Sequence, residues 1–256
     1  MRVKILRKKT PTTESYWESF LYDGTSDASI ASLLDYLNYK DDIYNAQGES
    51  VPRIGWECSC LQGVCGSCAM VINGRPALAC ETFVRDLGEE ISIEPLSKFF
   101  VIHDLIVDRS IIQENLKKTN AYIEEYKGSD TSGNRLRKGS KESRKRDREH
   151  AHQYSISKCL KCGLCLEVCP NYVKGEHFFG ACFANDCYLI ASRSLSRSEE
   201  IKEEYGEHFA KGCSKSLSCM EVCPVGIETI ASMAKMNRML FYQEILVWKK
   251  ACCMKL

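Results

Sequence analysis

Cysteine is the residue type that most constrains this chain. The 256 residues include 16 cysteines, which lie in groups: none precedes Cys58, and none lies between Cys80 and Cys159. Ligands of metal sites cluster in this way, whereas the disulfides that hold a small secreted domain together are usually spread through it. The N-terminal segment MRVKILRKKT also lacks the apolar core of a secretory signal. The grouped cysteines therefore predict metal centres in a reducing compartment rather than a disulfide framework.

The first group has the spacing Cys60-x4-Cys65-x2-Cys68, and Cys80 follows after eleven residues. This is the ligand spacing of a plant-type [2Fe–2S] centre. A loop that wraps such a cluster must bend sharply and turn its backbone N–H groups toward the sulfurs, which small residues such as Gly66 permit. The alternative is a structural zinc site, whose usual C-x2–4-C pairs are met only in part. We predict that Cys60, Cys65, Cys68 and Cys80, the first ligand set, bind a [2Fe–2S] cluster.

Two further groups follow the run of bacterial-type ferredoxins, in which the last cysteine precedes a proline. These runs are Cys159-x2-Cys162-x2-Cys165-x3-Cys169-Pro170 and Cys213-x5-Cys219-x3-Cys223-Pro224. In proteins with two such runs, the last cysteine of each ligates the cluster of the other. One cluster then has four thiolates, which suit [4Fe–4S], from the second ligand set: Cys159, Cys162, Cys165 and Cys223.

The second run lacks one cysteine, because Ser216 stands three residues after Cys213. The remaining thiolates suit a [3Fe–4S] cluster and form the third ligand set: Cys169, Cys213 and Cys219. Alternatively, the hydroxyl of Ser216 supplies an oxygen ligand to a fourth iron. A cluster without that iron tends to have a higher reduction potential, since cluster type and net charge set it.

Five cysteines remain outside the ligand sets: Cys58, Cys182, Cys187, Cys252 and Cys253. Cys58 could exchange with Cys60, but only Cys60 gives the four-residue spacing. Cys182 and Cys187 are five residues apart, so on a helix they point to different faces and make a poor joint site. We expect all five to be ordinary thiols.

The first hundred residues combine strand and helix signals. Ile30, Leu33, Leu34 and Leu37 have helical spacing and predict a helix over 29–38, for which Asp27 is a candidate N-cap. Strands are predicted over residues 1–9, 15–24 and 90–95, with a hairpin of 69–72 and 76–78 around Asn73-Gly74.

Helical spacing replaces the strand signals from Asp104 onward, notably over residues 194–209 and 226–246. Residues 128–150 contain almost no apolar side chain, and eight of the sixteen residues 135–150 are Lys or Arg. Since this segment has no aromatic residue to stack on bases, we interpret it as a solvated linker or surface loop. We therefore expect a first domain at 1–106 and a helical second domain at 107–256 that contains this linker.

The charge and hydropathy of the chain argue against a nucleic-acid-binding protein and against a membrane-spanning protein. Lys and Arg total 35 and Asp and Glu total 34, a formal net charge of +1 that does not indicate binding to nucleic acid. Each cluster with its thiolates carries about −2, so the loaded protein is expected to carry about −5. Apolar stretches fall far short of the ~20 residues of a membrane span.

The order of these motifs resembles the iron–sulfur subunit of succinate dehydrogenases and fumarate reductases. The strings CLQGVCGSCAMVINGRPALAC, FFVIHDLIVDRS, ISKCLKCGLCLEVCPN and CMEVCPVGIETIASMAKMNR extend the resemblance over nearly the whole chain. It implies an α+β fold, with an N-terminal β-grasp plant-type [2Fe–2S] ferredoxin domain and a C-terminal all-helical domain like bacterial ferredoxins.

The resemblance also implies partners. A flavoprotein subunit would interconvert succinate and fumarate at FAD, and a cytochrome b subunit with haem would anchor the complex on the cytoplasmic side of the cell membrane. Electrons would pass through the [2Fe–2S], [4Fe–4S] and [3Fe–4S] clusters to quinone, and this chain would contain no catalytic residue.

The region beside the third ligand set puts a ubiquinone site in doubt, while the strings CPN and IASMAKMNR resemble the menaquinone-linked branch of the family, which implies a single di-haem cytochrome b as the anchor. Ubiquinone-linked members of the family have tryptophan and histidine here, whereas this chain has no tryptophan in Pro170–Lys174 and has Ser214 after Cys213. Three alternatives remain: a soluble fumarate reductase with a non-quinone donor, a free-standing ferredoxin-like carrier, and a structural zinc protein.

Overall fold

A computed structural model describes residues 1–122, 141–193 and 197–253 of the chain. It has a mixed α+β architecture, with a sheet domain at the N-terminus and a helical part toward the C-terminus. No helix in these ranges combines the length and the apolar character needed to cross a membrane.

The N-terminal part is built around a sheet and one amphipathic helix. In chain order its elements are β1 Arg2–Arg7, β2 Tyr16–Leu21, α1 Ile30–Asn38, β3 Ile43–Tyr44, β4 Ser50–Val51, β5 Ala69–Ile72, β6 Arg75–Leu78, β7 Glu90–Glu94, β8 Phe100–His103, β9 Ile106–Asp108 and α2 Ser110–Lys118. Five strands form one sheet in the order β2-β1-β7-β5-β6, while β3 pairs with β4 and β8 pairs with β9. Only the central β1–β7 pair of the large sheet is parallel.

Alternating side chains give this sheet its buried face. Val3 and Ile5 of β1 and Ile91 and Ile93 of β7 are all fully buried in one apolar core, as expected when a strand presents every second residue to the interior. Helix α1 buries its apolar stripe in the same core. The predicted strands 1–9, 15–24 and 90–95 and the helix 29–38 are thereby confirmed.

The N-cap prediction for α1 was wrong. Ser29, immediately before the first apolar position, accepts a hydrogen bond from the Ser32 N–H at 3.2 Å. Asp27 lies too far upstream to reach the first turn, and its carboxylate instead pairs with Arg85 at 2.9 Å.

The hairpin at Asn73-Gly74 is confirmed. Both residues have positive φ, 46° and 73°, as in a type I′ turn, and β5 and β6 pair on either side of it. The β8–β9 hairpin interrupts the region where helical spacing was expected. Its second strand has only three residues, too few to give a detectable alternation.

The helical part contains α3 Lys141–Ser157, α4 Leu164–Glu167, α5 Gly180–Ala191, α6 Ser198–Tyr205, α7 Ser218–Glu221 and α8 Thr229–Cys253, with one π-helical turn at Gly206–Ala210. Helix α5 lies at its centre, since eleven of its twelve residues are buried. The predicted helices over 194–209 and 226–246 correspond to α6 and α8.

The linker expected near 128–150 is helical over its last ten residues, which belong to α3. Lys, Arg and Glu have good helix propensity, and a helix of such residues has no apolar stripe from which a pattern could be read. Residues 123–140, which include the start of the basic segment 135–148, lie outside the described ranges.

The sheet domain and the helical part share an apolar core. Leu96 and Phe99, which follow β7, are buried with Leu164 and Tyr172 of the helical part. Gly163 allows a close approach here, because a Cβ at this position would lie 2.8 Å from the Phe99 ring. The division at residues 106 and 107 stays a prediction, and the shared core brings the cysteine loops of the two parts together.

Candidate metal centres

The first ligand set lies on a loop and a strand end of the sheet domain. Cys60, Cys65 and Cys68 lie on the segment between β4 and β5, and Cys80 follows β6. The Cys68 and Cys80 sulfurs are 3.4 Å apart and both residues are buried. The β5–β6 hairpin therefore returns the fourth thiol to the loop that carries the other three.

Backbone N–H groups of this loop point at the sulfurs. Four N–H groups donate at 3.3–3.5 Å: Gln62 and Val64 to Cys60, Gly63 to Cys80, and Ser67 to Cys65. The loop achieves this by adopting positive φ at Leu61, Gly63 and Gly66. Donors directed at sulfur stabilise negative charge there, so this geometry fits a thiolate-bound iron–sulfur cluster.

Two thiols of the first ligand set differ in acidity. Desolvation opposes the ionisation of Cys65, but hydrogen bonds involving Ser67 and Cys60 outweigh it and lower the pKa of Cys65 to about 6. Desolvation and the neighbouring Cys68 raise the pKa of Cys80 to about 11. Since metal ligands must be thiolates, cluster binding has to remove the proton from Cys80.

The second ligand set surrounds the short helix α4. Cys159 and Cys162 precede α4 and Cys165 lies within it, while the Cys223 sulfur accepts a hydrogen bond from the Ile227 N–H at 3.4 Å. Desolvation raises the pKa of Cys159 to about 12. Desolvation also raises the pKa of Cys162, and the nearby Cys223 raises it further. Cys223 thus lies beside the run of Cys159 even though it is distant in sequence.

The third ligand set lines one cavity. Cys169, Cys213 and Cys219 are all part of its wall, together with Ser216 and the apolar side chains of Phe178, Phe209 and Met233. Desolvation, followed by Cys169 and Cys213, raises the pKa of Cys219 to about 11. The three thiols and the serine that replaces the fourth cysteine thus surround the same space.

The cysteines outside the ligand sets have different environments. Cys58 is exposed, and Cys187 is buried among α5, α6 and α8. The side chains of Cys252 and Cys253 lie outside the described part of the chain. Cys182 is only 6% exposed and lies close enough to Cys165 of the second ligand set to raise the pKa of that thiol. Its spacing gave no sign of this contact, which arises from the packing of α5 against α4.

Two charged groups near the second ligand set also escaped sequence reasoning. Lys161 forms an ion pair with Asp186 of α5, and Arg109 contacts both the first and the second cysteine loops. No local motif marks either one.

Among the side chains that the structure describes, no three Cys, His, Asp or Glu residues converge closely enough to hold one metal ion, as a mononuclear zinc site requires.

Comparison with known proteins gives matches over both parts of the chain. Residues 2–114 match the model of a 2Fe-2S iron-sulfur cluster binding domain, and residues 155–227 match that of a 4Fe-4S dicluster domain. The succinate dehydrogenase iron-sulfur subunit of Bacillus subtilis is 32% identical, over 93% of this chain and 91% of its own length. The fumarate reductase iron-sulfur subunit of Escherichia coli is 28% identical, over 91% and 90%.

A solved structure agrees with the fold. A chain of the Mycobacterium smegmatis Sdh1 complex in the apo form superposes with a TM-score of 0.69 at 21% identity and covers 94% of this chain and 96% of its own. At that identity the likeness concerns the fold alone, but the sequence relatives span almost the whole chain. The chain therefore belongs to the family of iron–sulfur electron-transfer subunits of succinate dehydrogenases and fumarate reductases.

Proposed function

We propose that this chain carries electrons between the FAD of a flavoprotein subunit and quinone at a membrane cytochrome b subunit with haem. The observation that carries the proposal is the serial arrangement of the three ligand sets. A Cβ at Gly66, within the first cysteine loop, would lie 2.7 Å from the Cβ of Cys162, so the first and second loops touch. The second and third sets are joined through the run that contains Cys165 and Cys169.

The ligand sets assign one cluster to each position of this series. Cys60, Cys65, Cys68 and Cys80 would hold [2Fe–2S], Cys159, Cys162, Cys165 and Cys223 would hold [4Fe–4S], and Cys169, Cys213 and Cys219 would hold [3Fe–4S]. When bound, the clusters supply reversible one-electron chemistry. The protein supplies thiolates, N–H donors and apolar surroundings. In this proposal, the first domain has the β-grasp fold and the second domain has the fold of bacterial ferredoxins.

The flavoprotein would bind at the exposed side of the first cysteine loop. Leu61 and Val64 are 48% and 65% exposed there, although both are apolar and lie beside Cys60. An apolar surface next to the first cluster suits a permanent partner that delivers electrons at this end of the series.

Quinone would react at the other end, near the third ligand set. The Ser214 hydroxyl, which stands where ubiquinone-linked members have histidine, donates a hydrogen bond to Asn171 Oδ1 at 2.6 Å. Asn171 lies in the segment that has no tryptophan. The absence of that histidine and of tryptophan from this region supports menaquinone as the quinone. In the same proposal, the chain lies on the cytoplasmic side of the membrane and is held there by its partners.

The test is succinate-driven reduction of the intact complex, followed by electron paramagnetic resonance (EPR). We expect succinate to reduce the third cluster in the unsubstituted complex and added menaquinone to reoxidise it. Cys68→Ser should remove the [2Fe–2S] signal and block reduction of the third cluster by succinate, while dithionite still reduces it. Reduction by succinate at the unsubstituted rate in Cys68→Ser would contradict the serial order.

A further inference from the structure

Arg109 lies where the first and second cysteine loops meet. Its guanidinium nitrogen Nη1 donates to the carbonyl oxygen of Gly66 at 2.8 Å and to that of Cys162 at 3.5 Å. The other nitrogen, Nη2, donates to the Ser67 carbonyl at 3.2 Å and to the Glu57 carboxylate at 2.8 Å. One side chain therefore binds the backbone of both loops at once.

The two loops are in direct contact beneath this side chain. A Cβ added to Gly66 would lie 3.1 Å from the Leu160 Cβ and 3.2 Å from the Cys162 Cα, in addition to the clash with the Cys162 Cβ. Since Gly66 lies between two residues of the first ligand set and Cys162 belongs to the second, an electron can cross here between neighbouring atoms.

Arginine is chemically suited to this position. Its planar fork presents donors in several directions, and it stays charged at any pH that the protein experiences. The side chain is only 18% exposed, so water screens its charge incompletely. That charge faces two sites which become more negative when they receive an electron.

Contacts away from Arg109 also join the two parts of the molecule. The carboxylate of Glu167 accepts hydrogen bonds from the Ser97 and Lys98 N–H groups at 2.9 and 3.0 Å, and the shared core adds Phe99 packed against Gly163. These contacts hold the helical part to the sheet domain at a separate place. The contribution of Arg109 is local to the cysteine loops.

We propose that Arg109 is a positioning residue for electron transfer between the first and second clusters. Its fork fixes the contact between the two loops, and its charge favours the reduced form of each cluster. The inference rests on the ligand sets of the proposed function. With both clusters bound, the step would pass one electron from the first cluster, which would be oxidised, to the second, which would be reduced, with no bond broken and no proton moved.

Two substitutions in the intact complex separate the fork from the charge. Arg109→Gln removes both, whereas Arg109→Lys keeps the charge but loses the planar fork. Arg85→Gln is the matched control, because Arg85 also pairs with a carboxylate, that of Asp27, yet lies at an exposed position. The measurements are the midpoint potentials of both clusters and the magnetic broadening of the first cluster's EPR signal when the second is also reduced.

We expect Arg109→Gln to lower both midpoint potentials and to lose part of the magnetic broadening, which depends on the distance between the clusters. Arg109→Lys should keep the potentials and lose broadening, and Arg85→Gln should change neither. The proposal is overturned if Arg109→Gln matches Arg85→Gln in both measurements. It is also overturned if both Arg109 variants fail to hold the clusters, because the residue would then be needed to form the sites.

The unsubstituted complex distinguishes this inference from the proposed function. If it holds the clusters and reduces them with succinate while the Arg109 variants behave normally, only the role of Arg109 is wrong. If it lacks the cluster signals, the proposed function fails, and this inference fails with it.

Discussion

At the scale of single residues, the backbone shapes the first cysteine loop as much as the thiols do. Gly66 and Gly74 both have positive φ, 78° and 73°, but they differ in their neighbours. The space around Gly74 is open, whereas Gly66 touches Cys162. Their comparison separates the cost of a left-handed backbone from the cost of parting the two loops.

We expect Gly74→Ala to cost about 1–2 kcal/mol, the penalty for an L-residue in the left-handed region. Gly66→Ala should cost this and also displace Cys162, so that the iron content of the first and second sites falls. The measurements are iron per chain and the midpoint of thermal unfolding. Equal losses in the two variants would show that the contact between the loops has no influence on cluster binding.

Ser216 allows a test of the third ligand set. Ser216→Cys should complete the bacterial-type run, add one iron per chain and abolish the EPR signal of the oxidised three-iron cluster. Ser214→Cys is the control, since Ser214 lines the same cavity but lies outside the spacing of the run, and it should change neither quantity. An unchanged EPR spectrum of oxidised Ser216→Cys would contradict the prediction that the third cluster lacks a thiolate, and therefore an iron, at this position.

The candidate ligands could be predicted because they are spaced within short segments. The geometry of cluster-binding loops is local, so their cysteines leave a pattern in the sequence. The contacts of Arg109 are with residues 43 and 53 positions away, and that of Cys182 is with a residue 17 positions away. Such contacts are created by the packing of separate elements and leave no periodic signal.

At the scale of elements, a buried ion network joins three segments of the sheet domain. Arg7 of β1 is 1% exposed and pairs with Glu18 of β2 at 2.7 Å and with Asp104 of the β8–β9 turn at 2.9 Å. Asp104 also accepts hydrogen bonds from the N–H groups of Lys8 and Gly55, both at 2.9 Å. The network therefore fixes the hairpin that the sequence pattern did not reveal.

We expect Asp104→Asn to destabilise the protein by about 3–5 kcal/mol, because it leaves the charge of Arg7 incompletely paired in a buried place. The amide nitrogen also cannot accept the hydrogen bond from Gly55. Asp27→Asn breaks an exposed ion pair with Arg85 and should cost only about 0–1 kcal/mol. The thermal unfolding midpoint measures both, and a shift of similar size in the two variants would contradict the structural role of the buried network.

The prediction of helices and strands succeeded where apolar residues repeat, and it failed where polar contacts determine the conformation of the backbone. The alternation in β1 and β7 and the stripe of α1 follow from burial, which the pattern reports directly. The cap at Ser29 depends on a hydrogen bond, and the first turns of α3 depend on helix propensity. Each gives only a weak signal in the sequence. The β8–β9 hairpin is held by Asp104 rather than by a long apolar strand.

At the scale of the whole molecule, the shared core and the contact between the first and second cysteine loops bring the three predicted ligand sets into one series, which in the proposed function is the electron path. The formal charge of +1 belongs to the chain alone, and three bound clusters would change it to about −5. The iron and sulfide content of the loaded protein tests all three predicted ligand sets in one measurement.

Anaerobically purified protein should contain about nine irons and ten acid-labile sulfides per chain, the sum for one [2Fe–2S], one [4Fe–4S] and one [3Fe–4S] cluster. Cys60→Ser should lower the count by about two irons, since it removes a ligand of the first cluster. Cys58→Ser, two positions away and exposed, should leave it unchanged. About ten irons without an oxidised-state EPR signal would mean that Ser216 or another group completes the third site, and zinc without sulfide would contradict the electron-transfer role.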